Sequence, residues 1–189
     1  MNKKTIQEKL RKGLMTEEKE ATYDYGCVMA YLPVPKEWWD KIQDRIEEDD
    51  VMKGEEEDKD RYGREDEQHV TILYGIHADV PDEDVEALID KLKAPEVTLN
   101  KIGIFENDDF DVVKFDVESK DLTVANKLFT ELPHTNSYPD YHAHCTISYV
   151  KKGSGKNYIS DLSDDEVLTV KADKIVYSKP DGTKKEYKF

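Results

Sequence analysis

Cysteine, arginine and long apolar runs are all scarce in this sequence. Two cysteines in 189 residues, Cys27 and Cys145, are too few for a disulfide framework. No apolar stretch opens the chain and none is long enough to cross a bilayer, so neither a signal peptide nor a membrane span is expected. The simplest expectation is a reduced, cytoplasmic protein with two buried thiols. Arginine occurs only at positions 11, 45, 61 and 64, and the formal net charge is −15. Long nucleic acids are held largely by basic side chains that neutralise phosphates. A long RNA or DNA partner is therefore disfavoured, whereas a small anion in a pocket needs only a few hydroxyls and dipoles. The acidity by itself is compatible with plain solubility.

Charged residues make up 38% of the chain and hydrophobic ones 37%. The apolar residues come in patterned blocks, which points to a globular fold with polar loops and not to disorder. Residues 1–22 are charged, with Ile6, Leu10 and Leu14 at helical spacing, and read as an N-terminal arm or short helix; a single domain is expected over 23–189. Residues 25–34 read as a strand and 35–48 as a helix entered at Pro35. An acidic run over 49–68 reads as a solvated loop. Residues 69–76 form a strand and 81–93 a helix. Strands at 96–105 and 111–118 follow, then a helix over 121–132 and a strand over 142–150. The last two segments, 166–178 and 183–189, read as a hairpin closed by Asp181–Gly182. This order predicts an α+β fold, antiparallel sheet with helices outside.

Two segments are nearly the same. His69-Val70-Thr71-Ile72-Leu73-Tyr74 and His144-Cys145-Thr146-Ile147-Ser148-Tyr149 both read H-x-T-I-x-Y. On a strand, residues i and i+2 share a face. Each segment therefore offers an imidazole and a hydroxyl to one surface and turns Val70 and Ile72, or Cys145 and Ile147, to the other. Phosphodiester transfer needs a base for the nucleophile and an acid for the leaving oxygen, and histidine serves as either near neutral pH. Two threonine hydroxyls can bond the non-bridging oxygens where charge builds up. No metal and no cofactor is required.

Paired H-x-T segments, one per half of an α+β chain, resemble the signature of the 2H phosphoesterase superfamily. That superfamily includes LigT-like RNA 2′,3′-cyclic phosphodiesterases and bacteriophage anti-CBASS enzymes that degrade cyclic oligonucleotide signals. The resemblance covers residues ~23–189. It implies a bilobal, pseudo-two-fold fold with antiparallel sheets lining a central cleft. It also implies His69 and His144 as the acid–base pair, and Thr71 and Thr146 as phosphate binders. The implied partner is a small nucleotide or cyclic oligonucleotide, in the host cytoplasm if the gene is a phage's. An RNA-processing cyclic phosphodiesterase and a module that only sequesters a nucleotide are the alternatives, and the acidic loop is a candidate mimic of nucleic acid.

Family members often sandwich a base between aromatic rings. Tyr25, Tyr62, Tyr74, Trp38, Tyr141 and Tyr149 are the candidates, and Tyr25 is taken with His142 into the substrate-binding set. His142 should share the face of His144. Strand parity puts Tyr74 and Tyr149 on the opposite, core face unless the strand bulges or ends there. His77 and His134 fall in expected loops and read as solvated. Cys145 should be a core thiol without a partnered base. Trp38 and Trp39 should pack a helix onto the sheet. Lys151, Lys152 and Lys156, beside Gly153 and Gly155, read either as a positive lip for phosphates or as a solvated loop.

Overall fold

The computed structural model describes residues 24–54, 62–136 and 140–189. The expected N-terminal arm and the middle of the acidic segment lie outside the described residues. Among those described, the chain runs β1 (Tyr25–Tyr31), α1 (Lys36–Gln43), β2 (His69–His77), α2 (Asp82–Ile89), β3 (Glu96–Glu106), β4 (Phe110–Val117), α3 (Lys120–Phe129), β5 (His144–Lys151), a short 3-10 turn at Gly155–Tyr158, β6 (Ser160–Asp161), β7 (Leu168–Lys171), β8 (Lys174–Ser178) and β9 (Lys184–Lys188). The strands form two antiparallel sheets. One has the order β2-β1-β8-β9; the other has the order β5-β4-β3, with β6 and β7 both pairing with β3. The α+β expectation with antiparallel sheets holds.

The two halves repeat one unit, strand–helix–strand. In the first it is β1-α1-β2, in the second β4-α3-β5, and in each the two strands pair directly. The edge strands β2 and β5 lie against each other, so the two sheets meet along the strands that carry the repeated motif. The helices cross over: α1 packs against β5 and α3 packs against β2. The apolar face of α1 supplies Trp39 and Ile42 to the core, and Trp38 and Trp39 lie 5.7 and 6.2 Å from the ring of Phe115 on β4. That is the helix-to-sheet packing expected of the tryptophans. Leu122, Ala125 and Phe129 do the same work on α3, which is capped at its start by the Ser119 hydroxyl. One hydrophobic cluster takes residues from both sheets, including Val28, Ile72, Phe115 and Ile147.

Several boundaries differ from the sequence reading. The helices are shorter than their periodic patterns, because each ends in a turn that continues the apolar spacing without α-helical bonds; Ile46 is buried though it lies beyond α1. The run 166–178 is not one strand of a hairpin. Residues 168–171 pair with β3, the chain passes Ala172 and Asp173, and 174–178 pair with β1 in the other sheet. Buried Ala172 is small enough for the crossing, and its N–H is held by the Pro95 carbonyl. The hairpin proper is β8–β9, with Gly182 at φ 88°.

The described flanks of the acidic segment are not a free loop. Met52 N–H donates to the Tyr149 carbonyl and Glu65 N–H to that of Ile147, while Lys151 and Tyr149 N–H groups donate to Asp50 and Gly63. Both flanks thus satisfy the outer edge of β5, which would otherwise present unpaired backbone groups.

Candidate active site

The repeated motif is repeated in geometry as well as in letters. His69, Thr71, His144 and Thr146 are partly exposed, while Val70, Ile72, Cys145 and Ile147 are fully buried, as the alternation requires. The alternation then breaks at the same residue in both copies. Thr71 stands opposite Met29 and Leu73 opposite Val28, which leaves Ile72 as an extra residue; Thr146 stands opposite Lys114 and Ser148 opposite Val113, which leaves Ile147 as one. Each is a β-bulge, and a bulge reverses the phase of the residues after it. Tyr74 and Tyr149 therefore return to the face of the histidines. Tyr74 is 58% exposed and not a core residue, which corrects the parity assignment.

Both imidazoles are held alike. His69 Nδ1 lies 2.8 Å from the Glu67 carbonyl, and His144 Nδ1 lies 2.9 Å from the His142 carbonyl, two residues back in each case. A carbonyl only accepts, so Nδ1 carries the proton and Nε2 is the free atom. His134 makes the same bond to Leu132, so the bond sets a tautomer and does not by itself mark a catalytic group. Burial holds the pKa of His144 below the ordinary imidazole value. The positive charges of Lys114 and His69 add to this, against the opposing pull of the His142 carbonyl bond and Asp116. The strands that carry the two rings, β2 and β5, lie against each other.

Their surroundings differ. Tyr31, opposite His69 on β1, stacks on its ring at 5.4 Å and donates its hydroxyl to Glu67, with Lys174 Nζ 4.9 Å from the tyrosine ring. Phe105 meets the His144 ring edge-on at 4.8 Å, and Lys114 Nζ sits 4.3 Å from the centre of Phe105. Lys114 is only 5% exposed and is ion-paired with Asp116. The sequence reading missed Lys114, Asp116, Tyr31 and Phe105. The one signal was a lysine and an aspartate at i and i+2 inside the apolar run of β4, which strand parity puts on one face. Tyr141 donates its hydroxyl to the Thr71 carbonyl at 2.9 Å, a structural contact.

Tyr25 lies on the same face of β1 as Tyr31, with its ring 6.1 Å from both Tyr74 and His77. His142 precedes β5; it is exposed, its carbonyl holds His144, and it borders a recess with Tyr141, Asp116 and Thr123. His77 and His134 are not solvated loop residues. His77 ends β2 and shares a 2.9 Å hydrogen bond with the Thr135 hydroxyl, and His134 forms a bridge to Ile76. Gly75, at φ 99°, lets this loop approach, since a Cβ there would collide with the Thr135 carbonyl. Tyr149 packs edge-on against Tyr62 and Phe110, and Trp38 is turned to the core.

Cys145 is fully buried and its thiol is pushed up to about 12 by that burial, as befits a core residue. Cys27 is only partly buried, because it sits on the face of β1 that carries Tyr25 and Tyr31. Burial pushes its thiol up to about 12 as well, opposed by a hydrogen bond with the Thr71 side chain. The lysine-rich loop is already anchored to a buried anion: Asp111 Oδ2 accepts from the N–H groups of Gly153 and Gly155 at 2.8 and 3.1 Å. Lys152 and Lys156 pair with Asp111 and Glu106. The glycine cradle that a phosphate lip would need is filled by this carboxylate. Among the described residues, no three His, Cys, Asp or Glu side chains are grouped to hold a metal ion, and no helix is long and apolar enough to cross a membrane.

Two sheets that meet along edge strands, each edge carrying H-x-T, define a 2H phosphoesterase. Residues 48–176 match the family model of the anti-CBASS protein Acb1, a span that includes both motifs, and the chain belongs to that family. Among solved structures, Usb1 of Kluyveromyces marxianus aligns with 88% of this chain and 99% of its own, with a TM-score of 0.55 at 9% identity. Its complex with uridine monophosphate aligns at 0.54, also at 9% identity, over 88% and 98%. LigT of E. coli with 3′-AMP aligns at 0.51 and 12% identity, over 87% and 95% of the two chains. These likenesses establish the shared fold. No curated protein matches the chain.

Proposed function

We propose that this protein is a metal-independent phosphodiesterase that opens a cyclic oligonucleotide defence signal in the cytoplasm, with His69 and His144 as the acid–base pair. The observation that carries the reading is the pair of H-x-T motifs on two edge strands that lie against each other, each histidine and threonine on the partly exposed face and each ring with Nδ1 on a carbonyl and Nε2 left for chemistry. Membership of the Acb1 family supports the substrate class, and the nucleotides bound to Usb1 and LigT are in keeping with a small nucleotide ligand.

His144, the ring held below the ordinary imidazole pKa by burial, suits the proton acceptor. In this reading its Nε2 takes the proton of a ribose 2′-hydroxyl as that oxygen bonds to the adjacent phosphorus. The bond from phosphorus to the 5′-oxygen breaks, and His69, entering the step as the imidazolium with Nδ1–H still on the Glu67 carbonyl, gives its Nε2 proton to that oxygen. The products are a 2′,3′-cyclic phosphate and a free 5′-hydroxyl, and the ring becomes a linear chain. Thr71 and Thr146 donate to the two non-bridging oxygens. Tyr25, with Tyr74 beside it, offers a ring face to a base, and His142 stands at the rim.

The test is cleavage of a panel of cyclic di- and trinucleotides, 2′,3′-cyclic mononucleotides and 2′–5′ oligoadenylate, with excess EDTA. The His69→Ala/His144→Ala double variant runs beside it. Cleavage of a cyclic oligonucleotide that persists in EDTA and disappears in the variant is expected. Cleavage only with added metal, or undiminished in the variant, would overturn the assignment.

A further inference from the structure

At each bulge the carbonyl of the extra residue is met by a side-chain amide from a helix, and that of Ile147 also accepts from Glu65 N–H at 3.0 Å. Asn126 Nδ2 on α3 donates to the Ile72 carbonyl at 2.8 Å, and Gln43 Nε2 on α1 donates to the Ile147 carbonyl at 3.2 Å. Gln43 also donates to the Glu65 carbonyl at 2.9 Å, where the chain enters β2. The connections are crossed. Gln43 belongs to the first strand–helix–strand unit and holds the motif of the second; Asn126 belongs to the second and holds the motif of the first.

Both amides are 8% exposed and lie on helix faces that otherwise bury Trp39 and Ile42, or Leu122, Ala125 and Phe129. Burying an amide costs free energy unless it is hydrogen-bonded, and asparagine is a poor helix former. An apolar residue would suit either helix better on packing, and at position 126 on propensity as well. What the amides stabilise is a bulge that begins directly after the threonine, whose backbone it anchors, and that turns the tyrosine beyond it back to the same face.

We infer that Gln43 and Asn126 are positioning residues, each setting the threonine of the opposite unit's motif and thereby tying the two halves of the site to one another. The inference rests on the functional reading above. It predicts a crossed pattern of energetic coupling. Gln43 acts through Thr146, so Gln43→Met costs rate in the wild-type and Thr71→Val backgrounds and costs little more once Thr146→Val is present. Asn126→Leu does the reverse, coupling to Thr71→Val and adding to Thr146→Val. Misplacing a group that acts in the transition state lowers kcat, here by about 10-fold or more, and leaves KM within about 2-fold.

The experiment measures kcat and KM on the cyclic oligonucleotide that the panel above shows is cleaved fastest, for the singles and all four doubles, at a temperature where thermal melting shows each folded. If Met or Leu at these sites prevents folding, Gln43→Ala and Asn126→Ala remove the same donors with less bulk. Crossed coupling with the loss in kcat supports the inference. Impaired threonine variants with additive losses in all four doubles, or coupling within the same chain unit, overturn it alone. Threonine variants that retain the wild-type rate overturn the phosphate role of the hydroxyls and the inference together.

Discussion

Replacing Asp111 by alanine separates the anchoring of the lysine-rich loop from the binding of substrate. The carboxylate is fully buried, Oδ2 accepts from two backbone N–H groups, and Oδ1 lies 3.5 Å from Lys152 Nζ. The two donors fare differently once the acceptor is gone. Gly153 is exposed, so water can take over its N–H; Gly155 is buried, and its N–H would be stranded. A stranded buried donor costs about 1–3 kcal/mol, and a lost hydrogen bond to a charged group about 1.5–3, part of which returns because the carboxylate need no longer be desolvated. The net expectation is a loss of about 2–4 kcal/mol, or roughly 5–15 °C in melting temperature for a domain of this size. Asp111→Asn keeps one acceptor oxygen but sets an amide NH₂ or an uncharged oxygen against Lys152, and should fall between alanine and wild type. Urea unfolding measures the loss, and nucleotide cleavage well below the melting point should be near wild type for both variants. A loss under about 0.5 kcal/mol would mean that the loop does not depend on its anchor. A folded variant with activity destroyed would mean that the loop touches the substrate after all.

Lys114→Gln removes a positive charge that disfavours protonation of His144 and leaves Asp116 without its partner, and both changes favour the imidazolium. The acidic limb of the kcat/KM profile should therefore move to higher pH; an unmoved limb would disconnect Lys114 from His144. Because the folded pKa of His144 lies below that of a free imidazole, the unfolded chain binds more protons between the two values, so wild-type stability falls as pH drops through that window. Urea midpoints should fall less across it in the variant. Tyr74→Ala removes a ring that is 58% exposed and touches Tyr25 only edge-on, so its loss should leave the melting temperature nearly unchanged and raise KM several-fold. A KM at the wild-type value would take the pair out of base recognition.

The catalytic candidates were legible because their signal is local: a tripeptide on a strand needs only the two-residue period to place its side chains. The same period misplaced Tyr74 and Tyr149. A bulge at Ile72 or Ile147 has no mark in the motif, since isoleucine is as good a strand residue inside a bulge as outside it. The second mark lay far away in sequence, in a polar residue on the apolar face of each helix, and Gln43 and Asn126 acquire meaning only when α1 and α3 are seen to cross to the opposite sheets. The split of 166–178 was hidden for a related reason. Leu168–Lys171 and Lys174–Ser178 are both good strand segments, and which sheet each joins depends on β3 and β1, some 70 or more residues upstream. Charge density is silent on the flanks of the acidic segment, where Asp50, Met52 and Glu65 use their backbones to cover β5.

Duplication alone would give two equal histidines, and a phosphodiester is not symmetric: one oxygen arrives and loses a proton, the other departs and gains one. The difference between the rings therefore has to come from outside the repeated motif. It comes from the neighbouring strands. The partner of Thr71 is Met29 and that of Thr146 is Lys114; the partner of His69 is Tyr31 and that of His144 is Asp116. In the proposed mechanism two strands that share a motif carry the proton-transfer groups, and burial together with the unlike strands beside them distinguishes His144. It follows that exchanging the motifs' own variable residues, Val70 with Cys145 or Leu73 with Ser148, should change packing without exchanging acid and base. A change at Lys114 reaches the pKa on which the proposed roles rest.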